Sequence, residues 1–361
     1  MNKIIFGGAF DPVHNGHLNM ALNAAKQLAG EVIFVPAPIS VWKQSSAPIK
    51  DKIAMLKLAI KDYSEFSIDE YEINSGKEIN YSIDTVRHFK EKYPNDKLFY
   101  LIGTDQVNRF HQWKEAEELS KLAQIVFFIR PGSEIHSENV EKYHMIQIVG
   151  QKNTANSTEI RELRNYEVPA DVLFYIIENE VYEGVVELKS LLTPHRYAHC
   201  KSVASVAYQI AVSNKLENPL DYYMAALFHD IGKDIPKEEQ KELIEKYFSK
   251  YKNMPGYCLH QFAGAALARI KFGIEKKEML EAIEFHCTGN ENMGLMAKVI
   301  YASDKIEPTR GFDSSDLINA MKKDAEEGFK IVLEANREFL SKKEESAQNE
   351  LTSKCFSYYL K

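Results

Sequence analysis

The stretch Gly7-Gly8-Ala9-Phe10-Asp11-Pro12-Val13-His14-Asn15-Gly16-His17 constrains this chain more than any other. The apolar run Ile4-Ile5-Phe6 before it reads as a buried strand, and Leu18-Asn19-Met20-Ala21-Leu22 after it begins an amphipathic helix. A strand, a Gly-rich turn and a helix N-terminus make an anion site together, because the first N–H groups of a helix have no intrahelical partner. His14 and His17 fall where that helix begins, and Gly16 between them lets a ligand approach the backbone. Alone, each histidine reads as an ordinary turn or capping residue. Both in this frame point to phosphate chemistry.

Residues 1–180 go on alternating strand-like runs with helical patterns, which predicts an α/β domain with a mainly parallel, Rossmann-like sheet. Glu31–Pro36, Phe66–Tyr71, Lys97–Gly103 and Ala123–Arg130 read as strands, and Lys52–Lys61 and Tyr81–Tyr93 as helices. In such sheets ligands sit beyond the carboxyl ends of the strands. Asn156-Ser157-Thr158-Glu159-Ile160-Arg161 reads as a capped helix start, with Ser157 or Thr158 as the cap and Arg161 offering a charge-assisted contact to phosphate.

Gly7-Gly8 with His14 and His17 resembles the HxGH nucleotidyltransferases, and within them the nicotinate-mononucleotide adenylyltransferases. The resemblance covers about residues 1–183. It implies adenylyl transfer from ATP to nicotinate mononucleotide, with Mg²⁺ on the departing pyrophosphate. It makes His14, His17, Lys43 and Arg161 catalytic. It gives nucleotide and substrate contacts to Gly7, Gly8, Phe10, Asp11, Tyr81, Ser82, Gly103, Thr104, Asp105, Trp113, Ser157 and Thr158. Asn156-Ser157-Thr158-x-Ile160-Arg161 is similar to the family's I-S-S-T-x-I-R signature, with Asn156 for the usual Ser. Trp42 stands where His is commoner before Lys43, and Ser82 where Thr is commoner. Trp113 would stack on the nicotinate ring, or else belong to the core. Nicotinamide mononucleotide and phosphopantetheine are the alternative acceptors.

The alternation stops near residue 180, where Gly184 reads as the C′ residue of a helix. A length of 361 residues suits two domains of roughly 100–200 each, here residues 1–185 and an all-α domain over residues 186–361. The second half brings His199, the adjacent pair His229-Asp230, His260, His286 and Asp304 onto separate helical segments. His229-Asp230 continues the apolar helix Tyr223–Phe228, and burying that pair without a partner costs several kcal/mol. A divalent metal is the economical explanation, and mixed N and O ligands favour iron, manganese, cobalt or zinc.

Arg196-Tyr197-x-His199, Leu227–Lys233, His286-Cys287-Thr288-Gly289 and Asp304–Pro308 resemble the HD-domain phosphohydrolases of the YqeK type. Cys287 and Ser303 replace a commoner Thr and Ala. The resemblance covers about residues 190–315 and implies symmetrical hydrolysis of diadenosine tetraphosphate to two ADP. It assigns His199, His229, Asp230 and Asp304 to one ion and His260 and His286 to a second, with Asp230 bridging and acting in catalysis. Lys233 and Arg310 would meet substrate phosphates, or else be solvated cations. A regulatory module that senses nucleotides, or an enzyme acting on another nucleotide, is the alternative for this half.

Formal charge is −6 over residues 1–185 and −1 over residues 186–361, so neither half attracts nucleic acid through its overall field. The absence of a signal peptide and of ~18-residue apolar runs argues against a membrane location. Four cysteines without C-x-x-C pairing fit a reducing cytoplasm. A homo-oligomer is compatible with all of this. The charged, helix-prone tail Leu340–Lys361 carries no readable role.

Overall fold

In the computed structural model, which describes residues 1–38, 47–77, 79–129, 132, 134–135, 137–150, 155–342 and 349–361, β1 (Asn2–Gly8) is buried at Ile4, Ile5 and Phe6. An unbroken apolar run marks a strand covered on both faces, as parallel sheets require. β1 is joined by β2 (Gly30–Pro36), β3 (Phe66–Ile68), β4 (Lys97–Gly103), β5 (Gln124–Phe128) and β6 (Ile146–Ile148). The strand order is β3-β2-β1-β4-β5-β6, and every pairing is parallel. Ile4 sits between Val32 and Phe99 in the register. The order reverses between β1 and β4, and there the strands end in Gly7-Gly8 and Gly103. A doubly wound sheet opens its ligand crevice at such a switch point.

Two local readings are corrected. The strand expected over 66–71 stops at Ile68, because the Asp69 carboxylate accepts the Tyr71 N–H at 2.9 Å and turns the chain into the short helix Tyr71–Asn74. Gly184 does not end a helix. The preceding helix closes at Glu178, Glu180 takes the left-handed conformation, and Gly184 lies in the first turn of the helix Glu183–Ser190. A Cβ there would lie 2.5–2.7 Å from backbone atoms of Arg161, Glu162 and Leu163, so close approach and not helix termination requires the glycine.

The chain divides into two compact units, Met1–Val185 and Val186–Lys361. Helices that bear on the sites are α1 (Asn15–Leu28) and α2 (Ser157–Arg161) in the first unit. In the second they are α3 (Pro194–Ser213), α4 (Pro219–Phe228), α5 (Leu259–Phe272), α6 (Lys277–Phe285) and α7 (Leu295–Ile306), then α8 (Ala325–Ser341) and α9 (Glu350–Tyr359). α4 is buried at every position from Asp221 to Phe228 and is the central helix, with α3, α6 and α7 packed on it. The last described segment, 349–361, is tied to the fold: Asn349 Nδ2 donates to the Tyr257 hydroxyl at 2.9 Å, and the Thr352 hydroxyl donates to the Thr288 carbonyl at 3.0 Å. No helix among the described residues is long and apolar enough to cross a membrane.

Candidate nucleotide site and metal centre

At the end of β1 the chain turns through Phe10, whose φ of 44° is left-handed, and enters α1 with His14 as its N-cap residue. The His14 N–H donates to His17 Nδ1 at 3.3 Å, and the two rings stack at 3.7 Å. That bond fixes the tautomer: His17 Nδ1 accepts, so Nε2 carries the proton and remains a donor. Capping and phosphate binding are therefore compatible uses of one pair. Phe10 is buried edge-on to His17 and packs against Phe6 and Phe34, which locks the turn.

The second signature is carried to the first. Ser157 Oγ lies 3.3 Å from the Pro12 carbonyl, Arg161 donates to the Asp11 carbonyl at 2.9 Å, and a second Arg161 nitrogen reaches the Thr158 hydroxyl at 3.2 Å. The cap of α2 is Asn156, whose side chain accepts the Thr158 N–H at 2.9 Å, and not Ser157 or Thr158. Asn caps as well as Ser, so the departure from the usual signature keeps the cap and gives up one hydroxyl. Asp11 turns inward: its Oδ1 accepts the Tyr182 hydroxyl at 2.9 Å and the Ala47 N–H at 3.3 Å.

Beyond β4, Thr104 is buried with its hydroxyl on the Phe128 carbonyl, and Asp105 is exposed. Trp113 packs edge-on to Tyr100 at 5.9 Å and against Phe110 at 5.1 Å, a half-buried position at the margin of the core. Ser82 accepts the Tyr100 hydroxyl at 2.9 Å, and Tyr81 is exposed with the Lys114 ammonium over its ring. A Cβ on Gly7 would lie 2.7 Å from that Tyr100 hydroxyl. Lys43 lies outside the described residues.

In the second unit, His199 comes from α3, His229 and Asp230 from the turn that ends α4, and His260 from the first turn of α5. His286 follows α6, and Asp304 belongs to the last turn of α7. The pair His229-Asp230 thus sits past its apolar helix and not within it. Gly232 makes the packing possible, since a Cβ there would lie 2.4 Å from the His260 carbonyl and 2.5 Å from the Gly264 nitrogen. All six residues are buried. They form three groups of mutually close ligand atoms: His199, His229 and Asp230; His229, His286 and Asp304; and Asp230, His260 and His286.

Each imidazole has its Nδ1 tied down. His229, His260 and His286 donate to the carbonyls of Ala226, Tyr257 and Ile283 at 2.6–2.8 Å, and His199 donates to Glu307 at 2.9 Å. Their Nε2 atoms are then acceptors. His260 and His286 Nε2 face each other at 3.2 Å, and both lie within 3.4 Å of Asp230 Oδ1. His199 Nε2 meets Asp304 Oδ1 at 3.1 Å, and His229 Nε2 is buried with no hydrogen-bond partner. Burial pushes His260 down and His286 to about 3, so these two imidazoles stay neutral acceptors, whereas the Asp230 and Asp304 carboxylates outweigh burial at His229 and raise it. Burial would raise the Asp230 carboxyl, but His229 and its other imidazole neighbours outweigh it and hold it well below the usual range. Converging buried acceptors of this kind fit divalent cations.

Four cations surround the acceptors: Arg196 donates to Asp230 Oδ2 at 2.5 Å, Lys233 approaches His260 at 3.3 Å, Lys305 pairs with Asp304 at 2.7 Å, and Arg310 contacts the Asp304 carboxylate. The cluster opens into a cavity of about 570 Å³ that also touches Tyr257, Asn336, Phe339, Leu340 and Thr352. Sequence reasoning gave no role to Arg196, Lys305 or Glu307. For Glu307 the one available signal is its place three residues after Asp304.

These features define a nucleotidyltransferase-type α/β domain followed by an HD-type metal-binding helical domain. Residues 5–163 match the Cytidylyltransferase-like family and residues 196–309 the HD domain. A "Probable nicotinate-nucleotide adenylyltransferase/Ap4A hydrolase" of Mycoplasma pneumoniae is 30% identical over 91% of this chain and 97% of its own length. The Mycoplasma genitalium protein of the same name is 30% identical over 91% and 96%. A "Probable nicotinate-nucleotide adenylyltransferase" of Aquifex aeolicus is 42% identical over 39% of this chain and 83% of its own. The chain belongs to the nicotinate-nucleotide adenylyltransferase/Ap4A hydrolase family.

Proposed function

We propose that the chain is a bifunctional enzyme with one activity in each unit. The first joins the phosphate of nicotinate mononucleotide to the α-phosphorus of ATP. The Pα–O–Pβ bond breaks, pyrophosphate leaves with Mg²⁺, and deamido-NAD forms. Its transition state spreads charge over phosphoryl oxygens, so the protein's task is positioning and neutralisation. His17 Nε2–H, His14 and Arg161 do this at the β1–β4 switch point, with Lys43 as a further cation. Gly7, Gly8, Ser157 and Thr158 bring backbone and hydroxyl donors, and Trp113, Tyr81 and Ser82 bound the acceptor side. The tie from Arg161 to the Asp11 carbonyl supports this reading most, because it makes one site of two distant signatures.

The second activity hydrolyses diadenosine tetraphosphate: water attacks, the central P–O–P bond breaks, and two ADP leave. His199, His229, Asp230, His260, His286 and Asp304 would hold two divalent ions, with iron, manganese, cobalt or zinc suited to the mixed N and O donors. Bound there, such ions would lower the pKa of the attacking water and neutralise phosphoryl charge. Lys233 and Arg310 meet the phosphates, while the Nδ1 hydrogen bonds keep four Nε2 atoms convergent. The buried Nε2 of His229, which makes no hydrogen bond and has the Asp230 and Asp304 carboxylates at 3.9 and 3.7 Å, carries this reading.

The test incubates manganese- or iron-loaded wild type and Asp230→Ala with diadenosine tetraphosphate. ADP alone, lost in the variant, is the expected result. ATP with AMP overturns the symmetrical assignment, and binding without turnover moves this unit to a sensor. For the first unit, ATP is offered with nicotinate mononucleotide, nicotinamide mononucleotide or phosphopantetheine, and preference for the first is expected.

A further inference from the structure

The cavity beside the metal ligands is chemically divided. Arg196, Lys233, Lys305 and Arg310 all contact ligand residues, so the cations and the imidazoles occupy one region. The apolar lining comes largely from elsewhere: Phe339 and Leu340 lie at the end of α8, beyond the residues that match the HD domain. Phe339 is 54% exposed while lining the cavity, so its ring is within reach of a ligand there. One turn earlier on the same helix, Asn336 lines the cavity too, and its amide is anchored by donation to the buried Tyr301 hydroxyl at 2.7 Å.

We propose that the end of α8 is the nucleobase subsite of this cavity, with Phe339 stacking on the purine. The inference rests on the hydrolase reading above and adds the residue that makes the site select a nucleotide over a bare polyphosphate. A nucleoside polyphosphate has two chemically distinct ends, a polyanion and a flat aromatic ring. The cation-rich region matches the first end, and the Phe339–Leu340 wall matches the second. A ring face accepts a base by stacking, which costs little conformational freedom because phenylalanine has only two side-chain torsions. Asn336, one helical turn away, lies on the same face of α8. Asn336, Phe339, Leu340 and Thr352 thereby complete the pocket that residues 195–310 begin.

The experiment uses the full-length, manganese-loaded chain. Phe339→Ala is expected to raise KM for diadenosine tetraphosphate about tenfold, in line with the usual worth of one stacked base. Competitive inhibition by inorganic tripolyphosphate and metal content should stay at wild-type values. Phe339→Trp is expected to restore KM. Its emission above the wild-type background should be quenched by ADP and not by tripolyphosphate. An unchanged KM in Phe339→Ala, or an equal weakening of tripolyphosphate inhibition, overturns the subsite. So does Phe339→Trp emission that ADP leaves unmoved. If wild type fails to cleave diadenosine tetraphosphate, the hydrolase reading falls, and the quenching measurement still decides the subsite.

Discussion

Glu307 accepts the Nδ1–H of His199 at 2.9 Å, and the same carboxylate accepts the Thr309 N–H at 2.7 Å and its hydroxyl at 2.6 Å. The residue is almost fully buried, so its hydrogen bonds are not shared with solvent. Glu307 holds one imidazole by its far nitrogen while leaving the near one for a ligand. Outer partners of this kind are usually worth 10–100-fold in metal affinity. Glu307→Ala is therefore expected to retain manganese about 10- to 100-fold more weakly in equilibrium dialysis. Glu307→Gln, whose amide oxygen still accepts, should recover most of the loss. Equal loss in both variants would assign the effect to charge instead of orientation.

At the other site, two roles of His17 predict different sizes of effect. As a cap, its Nδ1 accepts the His14 N–H, and losing such a contact costs about 1 kcal/mol of stability. As a donor to phosphoryl oxygen, its Nε2–H is worth roughly 100-fold or more in turnover. His17→Ala should then show a small fall in Tm and a loss of adenylyl transfer of about 100-fold or more. Diadenosine tetraphosphate hydrolysis should be unchanged. A fall in Tm with near-normal transfer would leave only the cap.

Parts of this molecule were readable because burial leaves a local trace. The central strands appear as unbroken apolar runs, Ile4–Phe6 and Leu98–Ile102, because a parallel sheet is covered on both faces. His229-Asp230 drew attention because a charged pair follows an apolar helix. Arg196 and Glu307 fall within stretches that carry the HD resemblance, but no local pattern marks what either one does. Each looks like a solvated residue of a polar helix end, and its partner lies 34 or 108 residues away. The tail was opaque for the same reason: Asn349 and Thr352 gain meaning only from Tyr257 and Thr288, which packing brings to them. Asn156 stands where Ser is usual in its signature, and its amide oxygen makes the cap.

Glu72 offers a test of electrostatics in the unit that does not hold the His/Asp cluster. It is buried, and burial raises its carboxyl above the usual value against the opposing hydrogen bond from the Thr85 hydroxyl at 2.6 Å. A raised folded pKa means that the folded state holds the proton longer. The stability from this group is complete below the unfolded value near ~4.3 and is lost as pH rises through the folded value. Glu72→Gln keeps the acceptor oxygen and removes the titration. Its Tm, followed by calorimetry from pH 4 to pH 8, should match wild type at the acid end and exceed it by a few degrees at the other. A constant difference across that range would locate the effect in packing.

Gly232 is the point where the turn carrying Asp230 meets the helix carrying His260. An added methyl would lie 2.4 Å from the His260 carbonyl and 2.5 Å from the Gly264 nitrogen, both backbone atoms that no rotamer change can move aside. Overpacking commonly costs 1–3 kcal/mol, and here relief requires α5 to shift with His260 on it. Gly232→Ala is thus expected to lower the stability of the second unit by about 1–3 kcal/mol. It should also cut manganese retention by more than Glu307→Ala does, because His260, a proposed ligand, moves instead of merely losing its anchor. Adenylyl transfer supplies the control, since its residues lie in the other unit. Full metal retention in a folded Gly232→Ala protein would mean that the turn and α5 separate without disturbing the centre.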